Sequence, residues 1–175
     1  MQTKPGTDGE AYRTLARVWA ASVTVVTGKR AAGPFSVEHP ELDGFTATAF
    51  LTVSMAPPIV LVSISKGSGA DILFAEVEAF AVNLLSSKQA DVAAAFAKTQ
   101  TERGEVFARF AWEPNMEGVP LLEGTLGAFS ARVRNRIDAG DHVLVLGDVT
   151  TLHLGDQDDT LVYHNRGFGE VHRHR

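Results

Sequence analysis

Seven hydroxyl side chains fall within Gly44–Ser68, GFTATAFLTVSMAPPIVLVSISKGS: Thr46, Thr48, Thr52, Ser54, Ser63, Ser65 and Ser68. Their neighbours are apolar and β-branched, as in a buried sheet. Side chains alternate faces along a strand, so Thr46 and Thr48 share one face, and Phe45, Ala47 and Ala49 the other. Ser63 and Ser65 likewise continue the line of Ile59 and Leu61. A buried hydroxyl must be hydrogen-bonded. Its partner is either main chain or a flat polar ligand, and the small alanines would let such a ligand approach the backbone. Lys66-Gly67-Ser68-Gly69-Ala70 follows a strand and leads into a helix. Such a turn offers a phosphate its backbone amides, the Ser68 hydroxyl and the Lys66 charge. The competing reading is a plain helix start capped by Ser68.

Other chemistries find less support. There are no cysteines, which excludes disulfides, thiolate metal sites and cysteine nucleophiles. The six histidines show no H-E-x-x-H spacing, so no native metal site is expected. No G-x-S-x-G elbow and no complete phosphate-loop motif occurs. A net charge of −5 argues against nucleic acid as a partner. Arg132, Arg134 and Arg136 alternate on one face of an expected strand, as a solvated face or as a dock for a phosphate-bearing ligand or partner. His142, taken alone, is a hairpin-turn residue bonded to Asp141. The N-terminus lacks the apolar core of a signal peptide, and the apolar runs are too short to span a membrane. The expected location is the cytoplasm, with no membrane partner.

These residues need elements to hold them. One domain is expected over 10–175, after a loose lead at 1–9. Tyr12, Leu15 and Trp19 recur at helical spacing and predict an amphipathic helix over about 10–20. Strands are expected at 22–27, 45–49, 59–65 and 80–85, with a long loop over 28–43 and an irregular bridge ending at Pro57-Pro58. The 59–65 strand is apolar on both faces at its start, which places it centrally in its sheet. Helices are expected at 69–76 and 87–98, the second opened by a Ser86/Gln89 capping box. Residues 99–124 read as irregular. Two long strands, 126–137 and 143–154, flank a turn at Asp138–Asp141, and 161–163 forms a short last strand. Strand-rich and helix-poor, the chain is expected to be mainly β: an antiparallel barrel with a few covering α-helices.

The run G-F-T-A-T-A-F-x-T-V-S-x-x-P-P-I-V-L-V at 44–62 resembles the flavin reductase-like family of split-barrel, Greek-key flavin-binding proteins. The likeness continues through Phe80–Leu85, Gln89, Phe96-Ala97, Gly118-Val119-Pro120 and Leu122-Glu123-Gly124. It ends with Gly140-Asp141-His142, Gly147, Val149 and Leu161-Val162-Tyr163, covering the chain from about Thr14. The resemblance implies a homodimeric split barrel that binds FMN or FAD. It also implies NADH or NADPH as co-substrate, and a monooxygenase partner supplied with reduced flavin. By position, Thr46, Ala47, Thr48 and Ala49 would meet the isoalloxazine edge. Ser63, Ser65, Lys66 and Ser68 would hold the ribityl and phosphate chain. Asn83 and Gln89 would sit near the pocket or the dimer seam. His142 would lie near the nicotinamide, and Tyr163 and Phe168 would border the pocket. The segment Lys29–Leu42 is longer than the family's usual hairpin, Ala56 replaces an acidic residue, and Ser22 replaces a glycine. Two other readings stay open: a protein of this fold that retains its flavin for another task, and a structural barrel whose hydroxyls are merely satisfied.

Overall fold

A computed structural model describes residues 3–30, 42–98, 105–157 and 159–171. Helix α1 (Gly9–Val18) opens on Asp8, whose carboxylate accepts from the Glu10 and Ala11 amides at 3.1 and 3.0 Å. The helix is amphipathic, yet none of its residues is buried; Tyr12, Leu15, Val18 and Trp19 all lie exposed. The apolar run after it forms two strands rather than one: β1 (Ala21–Ser22) and β2 (Thr24–Lys29) belong to different sheets. Val23 sits at the switch, its amide donating to the Leu161 carbonyl and its own carbonyl accepting from Leu85.

The main sheet is antiparallel and seven-stranded. It contains β3 (Leu42–Ala47), β2, β6 (Ala79–Leu84), β9 (Gly127–Ala139), β10 (His142–Leu154), β5 (Pro58–Ser65) and β4 (Phe50–Met55), in that order. Its two outer strands, β3 and β4, are consecutive in the chain and joined only by Thr48 and Ala49. Seven strands laid flat would separate the outer pair by about 29 Å. Two linking residues span at most about 11 Å. The sheet must therefore curl until its edges approach at that end.

Inside the curl, Phe45, Phe74 and Phe80 pack edge to face at 5.5 and 5.6 Å, surrounded by Val26, Val60, Val62, Ile64 and Val145. A second cluster lies under α3 (Ala90–Phe96), where Phe96 and Phe107 meet at 5.3 Å beside Val25, Leu85 and Leu161. β2 separates the two clusters, with Val26 in one and Val25 in the other, so it is apolar on both faces.

Several expectations change. The stretch before Pro57-Pro58 is strand β4, a largely exposed edge strand with a register shift between Thr52 and Ser54; exposure and that irregularity hid it from the apolar pattern. Within 99–124, residues 99–104 lie outside the described residues. The rest forms α4 (Val106–Arg109) and a hairpin of β7 (Trp112–Pro114) with β8 (Pro120–Leu122). β5 lies second from the sheet edge, and Val60, Val62 and Ile64 on one of its faces are buried in the first cluster. The last strand, β11 (Leu161–His164), pairs with a further strand, β12 (Gly167–Glu170). The long hairpin closes on two residues, Gly140 and Asp141, with Gly140 at φ 64°, where glycine is favoured. A register shift between β9 and β10 at Leu146/Gly147 breaks the alternation at Arg134. Arg132 then pairs with Glu117, while Arg136 reaches the Phe74 and Val77 carbonyls at the end of α2 (Ala70–Glu76). The three arginines therefore do not share a face. Most of the long segment at 29–42, residues 31–41, lies outside the described residues.

At Gly147, an added Cβ would lie 2.6 Å from the Phe80 ring and 2.9 Å from Ala131 Cβ. Gly147→Ala is expected to destabilise the fold by about 1–3 kcal/mol through overpacking, read as a lower denaturant midpoint with an unchanged slope.

Candidate functional site

The pairing of β5 with β10 sets His142 opposite Ser65 and Leu144 opposite Ser63. Opposed residues share a face, so Ser63, Ser65 and His142 lie together, on the side away from Val62, Ile64 and Val145 in the core. The Ser63 amide donates to the Ala49 carbonyl at 3.0 Å, which brings the β3–β4 junction alongside this row. Thr48, Ala49, Ser63, Ser65 and His142 thus form one continuous strip. Among the described residues, the hydroxyls of Thr48, Ser63 and Ser65 make no side-chain hydrogen bond and stay open to a ligand.

At the end of this strip, His142 Nδ1 lies 2.7 Å from Asp141 Oδ1. Asp141 is fully exposed, and the hydrogen bond and charge of His142 hold its carboxyl below the ordinary value of 3.8. With Nδ1 engaged by a carboxylate, Nε2 is the ring nitrogen left for a ligand. Lys66 closes the same corner: its amide donates to the Asp141 carbonyl at 2.9 Å, and its ammonium meets Gly140 O at 3.0 Å and Asp138 at 2.9 Å.

At the same junction lies a cleft of about 560 Å³. Thr48 and Ala49 form one wall; Tyr12, Trp19 and Tyr163 supply aromatic surface, and Arg13, Arg17 and Arg166 supply charge. The Tyr163 ring meets Phe168 edge to face at 5.5 Å. The strip and the cleft share Thr48 and Ala49, so the expected residues Thr48, Ala49, Ser63, Ser65, Lys66, His142, Tyr163 and Phe168 fall in one region of the molecule.

The remaining expected residues fall elsewhere or are occupied. Thr46 does not share a face with an open Thr48: its hydroxyl donates to the Ala93 carbonyl at 2.6 Å, and regular alternation ends at Ala47. Ala47 is buried, and its carbonyl accepts from the Thr24 hydroxyl at 2.9 Å. Asn83 is fully buried and ties three strands: its amide donates to Val25 O and Thr27 Oγ1 at 3.0 and 3.2 Å, and its oxygen accepts from Leu122 N at 2.9 Å. Gln89 accepts from the Ser86 amide at 3.0 Å and donates to Glu123 O at 2.8 Å. This is one half of the expected capping box, although α3 itself starts only at Ala90.

The Ser68 turn differs as well. Gly69, at φ 81°, is the cap of α2, and no side chain caps it. The Asp71 carboxylate accepts from the Gly67 amide at 2.7 Å and the Gly69 amide at 3.0 Å. The Ser68 amide goes to Ser65 O at 3.3 Å. An internal carboxylate thus occupies amides that the sequence pattern offered to a phosphate.

The arginines and aromatics of α1 escaped sequence reasoning as site residues. Their spacing marks a helix, but nothing local to 10–20 shows that Thr48 and Tyr163 lie opposite.

The match to the model of the flavin reductase like domain spans residues 16–172. The chain belongs to the flavin reductase-like family. It is 35% identical over 169 residues to the FMN reductase (NADH) SmoA of Agrobacterium fabrum, covering 96% of this chain and 89% of that protein. It is 35% identical to the NADH:FMN oxidoreductase of Rhodococcus erythropolis, covering 87% and 77% of the two chains. Among solved structures, it resembles the flavin reductase component of a bacterial two-component tryptophan halogenase. That likeness has a TM-score of 0.80 and 30% identity, covering 95% of this chain and 100% of the other.

Because the folded carboxyl of Asp141 titrates below its unfolded value, the Asp141–His142 contact is intact above the ordinary carboxylate range. It is lost only as pH falls through the lowered value. Carboxyl NMR titration of His142→Ala is expected to return Asp141 upward, toward 3.8; an unmoved midpoint would assign the shift to another cause.

Proposed function

We propose that this chain is an NAD(P)H-dependent flavin reductase that takes FMN or FAD as hydride acceptor and supplies reduced flavin to a partner monooxygenase. The observation that carries the reading is the open strip at the β3–β4 junction, in a chain whose family match runs through nearly every element. FMN with NADH is the pair named for both relatives cited above. A reductase-component role is named for a relative from Pseudomonas aeruginosa, the reductase component of 4-hydroxyphenylacetate 3-monooxygenase, at 29% identity.

The residues present suit a flavin. Ala49 has only a methyl group between a ligand and the main chain, and the hydroxyls of Thr48, Ser63 and Ser65 are available to a polar ring edge and a ribityl chain. When bound, the flavin supplies the redox chemistry, accepting hydride from the nicotinamide. The protein's part is to bind and orient. Thr48 and Ala49 hold the ring edge, Ser63 and Ser65 hold the ribityl chain, and Tyr163 and Phe168 cover apolar surface. His142, oriented by Asp141, presents Nε2 to the nicotinamide side. No acid–base dyad is needed, because direct hydride transfer depends on position rather than on a protein proton donor.

The curled seven-stranded sheet is read here as the family's split barrel, within a single domain over 10–175, and the cytoplasm is the proposed location. Among the described residues, no helix is long and apolar enough to cross a membrane. A homodimer is proposed from exposed apolar surface: Leu51, Val53 and Met55 on β4 and Leu152 and Leu154 on β10 lie open on the single chain. A second copy packed on these strands would remove these side chains from water.

Mixing the protein with NADH and FMN under nitrogen is expected to bleach the oxidised flavin; unchanged absorbance with every flavin and nicotinamide pair would reject the reading. His142→Ala is expected to raise the nicotinamide KM more than it alters flavin affinity. Thr48→Val is expected to weaken flavin binding by about 1 kcal/mol, for one lost hydrogen bond. Sedimentation of the wild type is expected to give a dimer, and Leu51→Asp with Val53→Asp a monomer.

A further inference from the structure

Three guanidinium groups frame the cleft beside Thr48 and Ala49, and no carboxylate lines it. This is uneven placement, because the chain carries 21 acidic and 16 basic residues. Arg13 and Arg17 stand four apart on α1, where like charges repel one another. Arg166 sits in the β11–β12 turn at φ 66°, beside Asn165 at φ 48°. The Asn165 amide donates to the Arg17 carbonyl at 2.8 Å, so the turn is fastened to the end of α1 and the three cations are gathered at one rim.

Several other cations of the chain are engaged internally. Lys66 meets Asp138, Arg132 meets Glu117, Arg134 meets Asp148, and Arg136 binds carbonyls. Arg13, Arg17 and Arg166 form no ion pair among the described residues. Their planar forks suit phosphate oxygens, and the neighbouring Trp19 and Tyr163 suit a flat ring. The turn at Gly67–Gly69 is the rival phosphate site, but Asp71 and Asp138 already neutralise its amides and its lysine.

We propose that Arg13, Arg17 and Arg166 form the phosphate-recognising edge of the site, holding the phosphate ester of a ligand whose planar ring lies against Thr48 and Ala49. This rests on the flavin reductase reading, which leaves two sources for that phosphate: the flavin tail or the diphosphate of the nicotinamide dinucleotide.

The test compares wild type with Arg13→Gln/Arg17→Gln, Arg166→Gln and the corresponding lysine variants, each checked for an unchanged melting temperature. Two readouts are taken: flavin fluorescence quenching with FMN and with riboflavin, and steady-state KM for NADH. A flavin-tail contact raises the FMN Kd roughly tenfold, as for loss of a charged hydrogen bond, and leaves riboflavin unchanged. A dinucleotide contact raises the NADH KM by a similar factor and leaves both flavins unchanged. In either case lysine restores most of the loss, and added salt weakens wild type more than the glutamine variants. Values for FMN, riboflavin and NADH all within about twofold of wild type would overturn the proposal, as would equal weakening of FMN and riboflavin with NADH unmoved. If wild type reduces no flavin, the parent reading fails; the FMN-to-riboflavin binding ratio then decides the arginine proposal by itself, an unchanged ratio overturning it.

Discussion

The junction of Thr48 and Ala49 is the constraint on which the rest of the molecule depends. It joins the two outer strands of a seven-stranded sheet, so the sheet can exist only in a curled form. Curling encloses the Phe45, Phe74 and Phe80 cluster on the inside and turns the Ser63–Ser65 row outward. The junction itself carries only the small side chains of Thr48 and Ala49, both of them exposed. The feature that closes the fold is therefore the feature that exposes main chain to a ligand.

The polar residues divide according to what surrounds them. Asn83, Gln89, Thr46 and Thr24 lie against helices and neighbouring strands, and each spends its hydrogen bonds on main chain. Burial makes that necessary, since an unpaired polar atom inside a protein is costly. Thr48, Ser63 and Ser65 lie at or beyond the rim of the curl, where no neighbour claims them. The same residue types thus serve architecture in one place and recognition in another. Charge follows the same logic: Lys66 and the Gly67–Gly69 turn are satisfied by Asp138 and Asp71, whereas the cations beside the cleft are not.

Strand identity was legible where both faces of a strand are buried, as in β2 and β6, and in β5 from its run of β-branched residues, one face of which packs in the core. The β9–β10 hairpin was legible from Gly140 and the long alternating segments on either side. β4 and β12 were not, because they lie at sheet edges and carry little burial to pattern them. The switch at Val23 was also hidden, since membership of one sheet or another depends on partners remote in the chain.

For the site, the sequence by itself determined the inventory. It supplied small and hydroxylated residues at 46–49 and 63–65, the histidine after the hairpin turn, and the family to which they belong. Tertiary structure decided which of those groups remain available. Asn83, Gln89 and Thr46 are consumed by neighbours far along the chain, Asp71 fills the turn at Ser68, and α1 brings arginines to a wall that no local pattern connects to them. The physical reason is range. Propensity and alternation act over a few residues, whereas a hydrogen bond or an ion pair is assigned only after strands distant in sequence have been laid side by side.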